Sequence, residues 1–543
     1  MELVNPILHR ELRQGLLGRR MLLIQWFFVA ALALMVWLAW PREPKFQFKQ
    51  VEVAQHLFSL FWAGVYFAVC VVAAAMSAMA ITREKEVGAF EMLCTTGMST
   101  AHVLIGKFLS VVGFLVLLVV SSMPVAAACY LMGGVDWQFL SIQYLHLVAA
   151  VLLYGAIGLV CSCFCERNHH ALTAAFFITL PLAAWSVWSP KAKLYIELGG
   201  LLLLLMRIEH IVERVRRPRE EYQPPEPTAQ TIQISVDTDS ALDRLLIPHR
   251  SNKPFSDDKN PVFEREWLEE SVSEARAWWH FLLRFTIVIA VVVTIALVVG
   301  RMWLQDRTLT EAQFDASLAR YASMALWGLF TYMIGMAILV GPAQSANAIS
   351  KERERQTADL LATTLLRPRE IVLGKWWLSL RSSLHLLLLL LLPLLPLLVL
   401  IGFGKRGGIA SLVLSAVCGL LIVLATQVTL NTLGVFFSFL CESSAQALAA
   451  SYSVAVGWFV GPVVLYQVLT TFSEVPAVTY AWATYATPFL SFFLLSGWDV
   501  FQKGIVPAHP LVFVGIFLAL TALVNVVLLT IMVLGFQRLW RRA

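Results

Sequence analysis

ITREKEVGAFEMLCTTGMSTAHVLIGK, residues 81–107, is a charged island between two long apolar runs, and the chain contains it twice. The second copy is ISKERERQTADLLATTLLRPREIVLGK, residues 349–375, in register at an offset of 268 with no gap. Arg83-Glu84-Lys85-Glu86 becomes Lys351-Glu352-Arg353-Glu354, the same signs in the same order. Glu91 becomes Asp359, Thr95-Thr96 becomes Thr363-Thr364, and Gly106-Lys107 becomes Gly374-Lys375. These identities are mostly polar, so apolar composition alone does not produce them.

The flanks of the islands belong in a bilayer. Hydrophobic residues make up 59% of the chain and charged residues 14%, with a mean hydropathy of +0.73. A soluble domain carries about 25% charged residues. Many apolar runs exceed the roughly 18–20 residues that span a membrane. The first half is expected to cross near 22–40, 57–80, 103–132, 144–165, 171–189 and 194–212. The last is the weakest, because Glu197 and Glu209-His210 leave a short apolar centre. The second half is expected to cross near 281–303, 322–346, 371–403, 409–440, 444–470 and 508–536. Pro124 in one half, and Pro393 and Pro396 in the other, are expected to kink their spans.

Two further blocks tie the halves together. NPVFEREWLEE at 260 repeats NPILHRELRQG at 5, with Arg10-Glu11 matching Arg265-Glu266. GLVCSCFCERNHHAL, Gly158 to Leu172, aligns with Gly434 to Leu448 at an offset of 276, pairing Ser162 with Ser438 and Cys165 with Cys441. Residues 2–20 space Val4, Ile7, Leu8, Leu12 and Leu16 as one helical face, the pattern of an interfacial amphipathic helix. Residues 213–259 are polar and proline-rich and read as a linker. The organisation expected is therefore all-α and polytopic, with about twelve transmembrane helices as two parallel six-helix repeats: 1–212, a linker 213–259, and 260–543. Parallel repeats are related by an axis along the membrane normal, with a pathway expected at their interface.

Charge sets the orientation. Basic residues gather at the N-terminus, in the islands and at Arg214–Arg219, all on one face, which the positive-inside rule makes cytoplasmic. Both termini are then cytoplasmic, and the chain is a multi-pass protein of the cytoplasmic membrane. The net charge of +6 sits mainly in loops and termini, so it reads as topology rather than nucleic-acid binding. The first apolar run is too long for a cleaved signal peptide and lacks a small-residue cleavage site.

Within each island, Thr82 or Ser350 is expected to cap a short helix, with Glu84 and Glu86, or Glu352 and Glu354, in its first turn. Glu84 and Glu91 are seven apart, as are Glu352 and Asp359, which places each pair on one face. Gly97 and Pro368 mark where these helices stop. The reading is a cytoplasmic contact helix, made twice, for a partner with two equivalent docking sites. A merely solvated loop has no reason to keep its charge order.

The islands with their trailing Gly-Lys, the NPxxxRE start and the Gly…Ser…Cys-Glu block together resemble the permease subunit of type-2 ABC exporters. The resemblance covers 5–212 and 260–536 and implies two such subunits fused in tandem. It would place the family's coupling helix, which docks on the ATP-binding subunit, at 83–98 and 351–366. Arg83, Glu84, Glu86, Glu91, Lys351, Glu352, Glu354 and Asp359 are the coupling residues so implied. Family members often carry a glycine at the position of Val87 or Gly88, where the second copy has Arg355-Gln356.

The chain has no phosphate-binding loop of the form G-x-x-x-x-G-K-[ST]; Gly402-Phe403-Gly404-Lys405 has the wrong spacing. No cofactor is expected on this chain, and ATP hydrolysis falls to a separate ATP-binding subunit, in two copies. No serine, histidine and acid constellation suggests catalysis. Cys161, Cys165 and His169 share a helical stripe, but Phe437 and Ala445 replace two of them in the second half, so no metal site is expected. Intramembrane charge is nearly absent: Lys107, Arg284 and Arg381 are expected to snorkel, and only Glu197 and His385 sit ambiguously. Gln427, Asn431, Gln467 and Asn525 read as helix-joining groups. Two other functions compete: an ion-coupled secondary transporter, which the lack of a central carboxylate disfavours, and a membrane anchor or regulator for an ATPase.

Overall fold

The computed structural model describes residues 7–11, 25–26, 28–30, 32–33, 50–88, 100–131, 137–165, 167–188, 197–202, 274–305, 311–354, 357, 366–393, 409–472, 487–488 and 510–540. The expected span at 22–40 falls mostly outside them, as does most of 194–212. The linker, the second NPxxxRE start, Glu91 and Asp359 lie outside entirely. Every regular element among the described residues is helical. The chain divides into two compact units, Met1–Thr231 and Ile232–Ala543, with the division inside the expected linker.

The first unit contains α1 (Gln50–Val87), α2 (Thr100–Ser121), α3 (Met123–Leu131), α4 (Trp137–Phe164) and α5 (Asn168–Trp188). The second contains α6 (Glu274–Gln305), α7 (Glu311–Ser345), α8 (Ser350–Glu354), α9 (Pro368–Leu390), α10 (Ile409–Leu440), α11 (Ser444–Phe472) and α12 (Pro510–Trp540). Six stretches among the described residues are long and apolar enough to cross a membrane: Gly64–Glu86, Ala101–Ser121, Trp137–Phe164, Gly328–Glu354, Ala416–Leu440 and Val514–Phe536. This is a multi-pass membrane protein.

In the first unit α1 is central and packs on α2, α4 and α5; in the second, α10 packs on α7, α9, α11 and α12. The pairing of α1 with α4 is copied by α7 with α10, and a glycine sets its closeness. A Cβ on Gly158 would lie 2.8 Å from the Ser77 Cβ, and one on Gly434 would lie 2.8 Å from the Ser345 Cβ. Those glycines are equivalent in the repeat, and so are those serines. Small residues at a crossing let backbones approach, which is how membrane helices gain packing without a hydrophobic drive.

Proline acts differently from the expected kinks. Around Pro124 the helix breaks: α2 ends at Ser121 and α3 restarts at Met123. In the leucine run the helix ends at Leu390, and a turn follows at 391–393 that contains Pro393. Proline disfavours helical geometry in the residue before it, so termination beforehand is the cheaper solution.

Among the described residues each half also shows a polar patch of its own. In the second, Gln344 Oε1 accepts from Ser382 at 3.2 Å and Ser383 at 2.6 Å, and Asn431 Nδ2 donates to Ser379 Oγ at 3.2 Å. Asn525 Nδ2 donates to Thr429 Oγ1 at 3.1 Å. Asn431 and Asn525 thus join helices, as expected of neutral polar groups in lipid. The first half places Met76, Phe114, Leu115, Gly155 and Val111 at the positions of Gln344, Ser382, Ser383, Asn431 and Ser379. Its own patch is ionisable, because Glu197 is fully buried against His146 and Tyr66. The sequence left Glu197 ambiguous, and the structure buries it among helices.

Candidate functional site: a doubled elbow

The islands open as continuations of the spans before them. No breaker stands between Ala80 and Val87, so α1 runs through Thr82 and stops only at Gly88, whose φ of 74° is left-handed and suits glycine. Thr82 is therefore no helix cap: its hydroxyl donates back to the Ala78 carbonyl at 2.9 Å. Ser350 does the same to Ala346 at 2.8 Å, after a turn at 346–349 that separates α8 from α7. Glu84 and Glu86 sit at a helix C-terminal end, where the dipole disfavours acids. What offsets that is a set of partners from other helices.

Those partners come from the break between α4 and α5, and its copy between α10 and α11. Ser162 Oγ accepts from the backbone N–H groups of Ile81 at 3.0 Å and Thr82 at 3.1 Å. Ser438 Oγ accepts from Ile349 at 2.8 Å and Ser350 at 2.9 Å. Lys85 Nζ donates to the carbonyls of Ser162, Cys163 and Cys165 at 3.1, 2.8 and 3.0 Å. Arg353 donates to the carbonyls of Phe439 at 2.7 Å and Cys441 at 2.8 Å. The last carbonyls of a helix have no partner within it and carry negative partial charge, so a cation there both satisfies and neutralises them.

The neighbouring carboxylate does the converse at the next helix start. Glu86 accepts from the Asn168 backbone N–H at 2.8 Å, and Glu354 from that of Ser444 at 2.7 Å. Asn168 and Ser444 are residue types favoured at helix starts. The hydroxyls of Thr82 and Ser350 join their side chains, at 2.6 and 3.0 Å. Consecutive island residues of opposite sign thus cap a C-terminus and an N-terminus. The alternating order of charge in both copies follows from that geometry.

A buried lysine closes each elbow. Lys107 reaches Glu84 at 2.6 Å, and Lys375 reaches Glu352 at 3.1 Å. The lysines are only 4% and 3% exposed. Lys107 therefore does not snorkel as expected, because its carboxylate partner lies within reach on the neighbouring span. Ile81, Leu104 and Cys163 form an apolar floor beneath, and Ile349, Val372 and Phe439 form the equivalent floor in the second half.

Further groups surround each lysine pair. In the first, Glu11 of the N-terminal segment also approaches Lys107, at 3.4 Å, and Glu84 Oε2 is buried without a hydrogen-bond partner. In the second, Glu352 also accepts from Thr357, at the position of Ala89.

Of the eight residues expected to couple, Glu84, Glu86, Glu352 and Glu354 are thus tied to their own half. Arg83 is exposed and Lys351 is half-buried. Lys85, Arg353, Ser162, Ser438, Asn168 and Ser444 belong to the same constellation; Lys85 and Arg353, and Ser162 and Ser438, were matched across the repeat without being given a role there. Their signal was present as polar residues retained across two blocks of different offset. Among the described residues no three His, Cys, Asp or Glu side chains converge to hold a metal. Burial pushes the Cys165 thiol up to about 11, only partly countered by Lys85, so the group is neutral at physiological pH.

Comparison with known proteins now bears on the first elbow. Residues 5–199 match the ABC-2 family transporter protein family. The match takes in the N-terminal segment, the first island and the α4–α5 break, and ends before the linker. No curated protein matches the chain. An ABC-2 transporter domain is a transmembrane component: it works with an ATP-binding subunit, and ATP hydrolysis takes place there rather than on the permease. The first elbow therefore lies within the stretch that is similar to that transporter family.

Proposed function

We propose that this chain is the complete transmembrane part of an ATP-driven exporter, about twelve spans in two parallel repeats, with both islands and both termini facing the cytoplasm. Two ATP-binding subunits dock on it, one at each elbow. The observation that carries this reading is the elbow itself, built twice from equivalent residues. Arg83, Lys351, Glu91 and Asp359 serve as the contact residues. Glu84, Glu86, Glu352 and Glu354 transmit.

The transmission has a physical route. A push on an island displaces the end of α1, and Ser162, Lys85 and Glu86 link that end to the α4–α5 break. The last turn of one helix and the first turn of the next move with it, as the second half's copy does through Ser438, Arg353 and Glu354. ATP-driven closure of the motor then alternates two states of the permease.

Purification in mild detergent tests the partner: an ATP-binding-cassette subunit should co-purify at two per chain. Arg83→Glu with Lys351→Glu should lower ATPase activity of that complex by about tenfold while the thermal midpoint of the chain stays put. Co-purification of no ATPase, or a single copy per chain, would sink the reading.

A further inference from the structure

Three segments of the first half meet at one carboxylate. Glu197, which opens the helical stretch 197–202, is fully buried. Its Oε1 accepts from the Tyr66 hydroxyl of α1 at 3.1 Å, and its Oε2 lies 3.0 Å from His146 Nδ1 of α4. The Tyr66 hydroxyl also lies 3.3 Å from that of Tyr154, itself fully buried. Tyr66 precedes Thr82 by roughly 24 Å of helix rise, so the cluster occupies the end of α1 away from the island.

The second half is an internal control for what packing needs. Ile334, Ile422 and Leu430 stand at the positions of Tyr66, His146 and Tyr154, and all three are buried. The same helix pair therefore packs there with hydrocarbon alone. Apolar replacement of a buried ion pair is often neutral or stabilising, and ionisable groups persist within a membrane mainly where they function.

We propose that Glu197 is a water-sensitive latch, holding the stretch 197–202 to α1 and α4 in one transport state and releasing it in the other. This rests on the reading of the chain as an alternating transporter. The physical basis is the contrast with an apolar contact. A hydrogen bond to a carboxylate is stronger in a low-dielectric interior than in water. Water admitted at this end weakens the very link that kept it shut, so the latch has two stable conditions. Hydrocarbon packing such as that of Ile334, Ile422 and Leu430 has no such dependence.

Hydrogen exchange of the 197–202 amides tests this in the full chain with its co-purified ATPase in lipid nanodiscs, with and without vanadate-trapped nucleotide. The wild type should exchange there at least tenfold faster in one state than in the other. The variant Tyr66→Ile, His146→Ile, Tyr154→Leu, Glu197→Leu should fold, keep its thermal midpoint within a few degrees, and lose that difference. Equal exchange in both wild-type states, alongside a nucleotide response at the islands, would overturn the latch while leaving the transporter reading intact. No nucleotide response anywhere in the chain would instead sink the transporter reading. Failure of the fourfold variant to fold would also overturn the latch, since the cluster would then be structural glue.

Discussion

The two halves agree at one end and disagree at the other. At the islands they keep the same clamp: a serine on two backbone amides, a cation on the closing carbonyls, a carboxylate on the next helix start, and a buried lysine. Deeper in the bundle the contacts seen among the described residues differ. The first buries Glu197 with His146, and the second joins helices through Gln344, Asn431 and their serines. Tyr66, His146 and Tyr154 map onto Ile334, Ile422 and Leu430, and the Gln344 patch maps onto Met76, Val111, Phe114, Leu115 and Gly155. What both halves keep is what any copy of this repeat requires. What only one keeps was free to specialise.

The clamp should be equally fragile in both copies. Lys85→Ala and Arg353→Ala each strip a cation from two or more helix-end carbonyls. Hydrogen bonds to charged groups are worth about 1.5–3 kcal/mol. Each substitution should therefore cost about 3 kcal/mol or more, read as a lower thermal midpoint in detergent. A large loss in one half and none in the other would break the equivalence.

Gly158→Ala and Gly434→Ala come next. Each puts a methyl group against a serine of the neighbouring span, and at Gly158 against the Ala74 carbonyl oxygen as well; overpacking of this kind costs about 1–3 kcal/mol. Matched losses in a denaturation series would sharpen the comparison. Glu352→Gln should then cost about 1.5 kcal/mol or more, because its carboxylate serves both Lys375 and Thr357. An unchanged denaturation midpoint would mean that the carboxylate charge contributes nothing.

Gln344→Met, which installs the first half's residue, should cost only about 0.6 kcal/mol, the usual worth of a neutral interhelical contact in a membrane. The smallest effect is chemical. Burial holds Cys165 protonated until about pH 11, so alkylation should be negligible at pH 8 and rise steeply towards pH 11 in folded protein. Fast labelling at pH 8 would show the α4–α5 break to be open.

Much of this was legible before any coordinates. Apolar runs and the duplicated island give the helices, their matched positions and the membrane setting, because burial patterns and repeated polar identities survive in the order of residues. The partners of the island charges were not legible. Glu86 meets Asn168 across 82 positions and Lys107 meets Glu84 across 23, and periodicity along a helix says nothing about groups brought in from another helix. Glu197 was left ambiguous for a related reason: only Tyr66 and His146, far away in the chain, reveal it as buried.

Because a single polypeptide holds both elbows, the dissimilar patches have a genetic consequence. A half-length subunit that pairs with itself repeats each mutation on both sides, so an acid such as Glu197 would always arrive as two. Joining the copies end to end lifts that restriction. One side can acquire a feature while its sibling keeps the ancestral state, and the pair can drift apart in every respect except the grip they share.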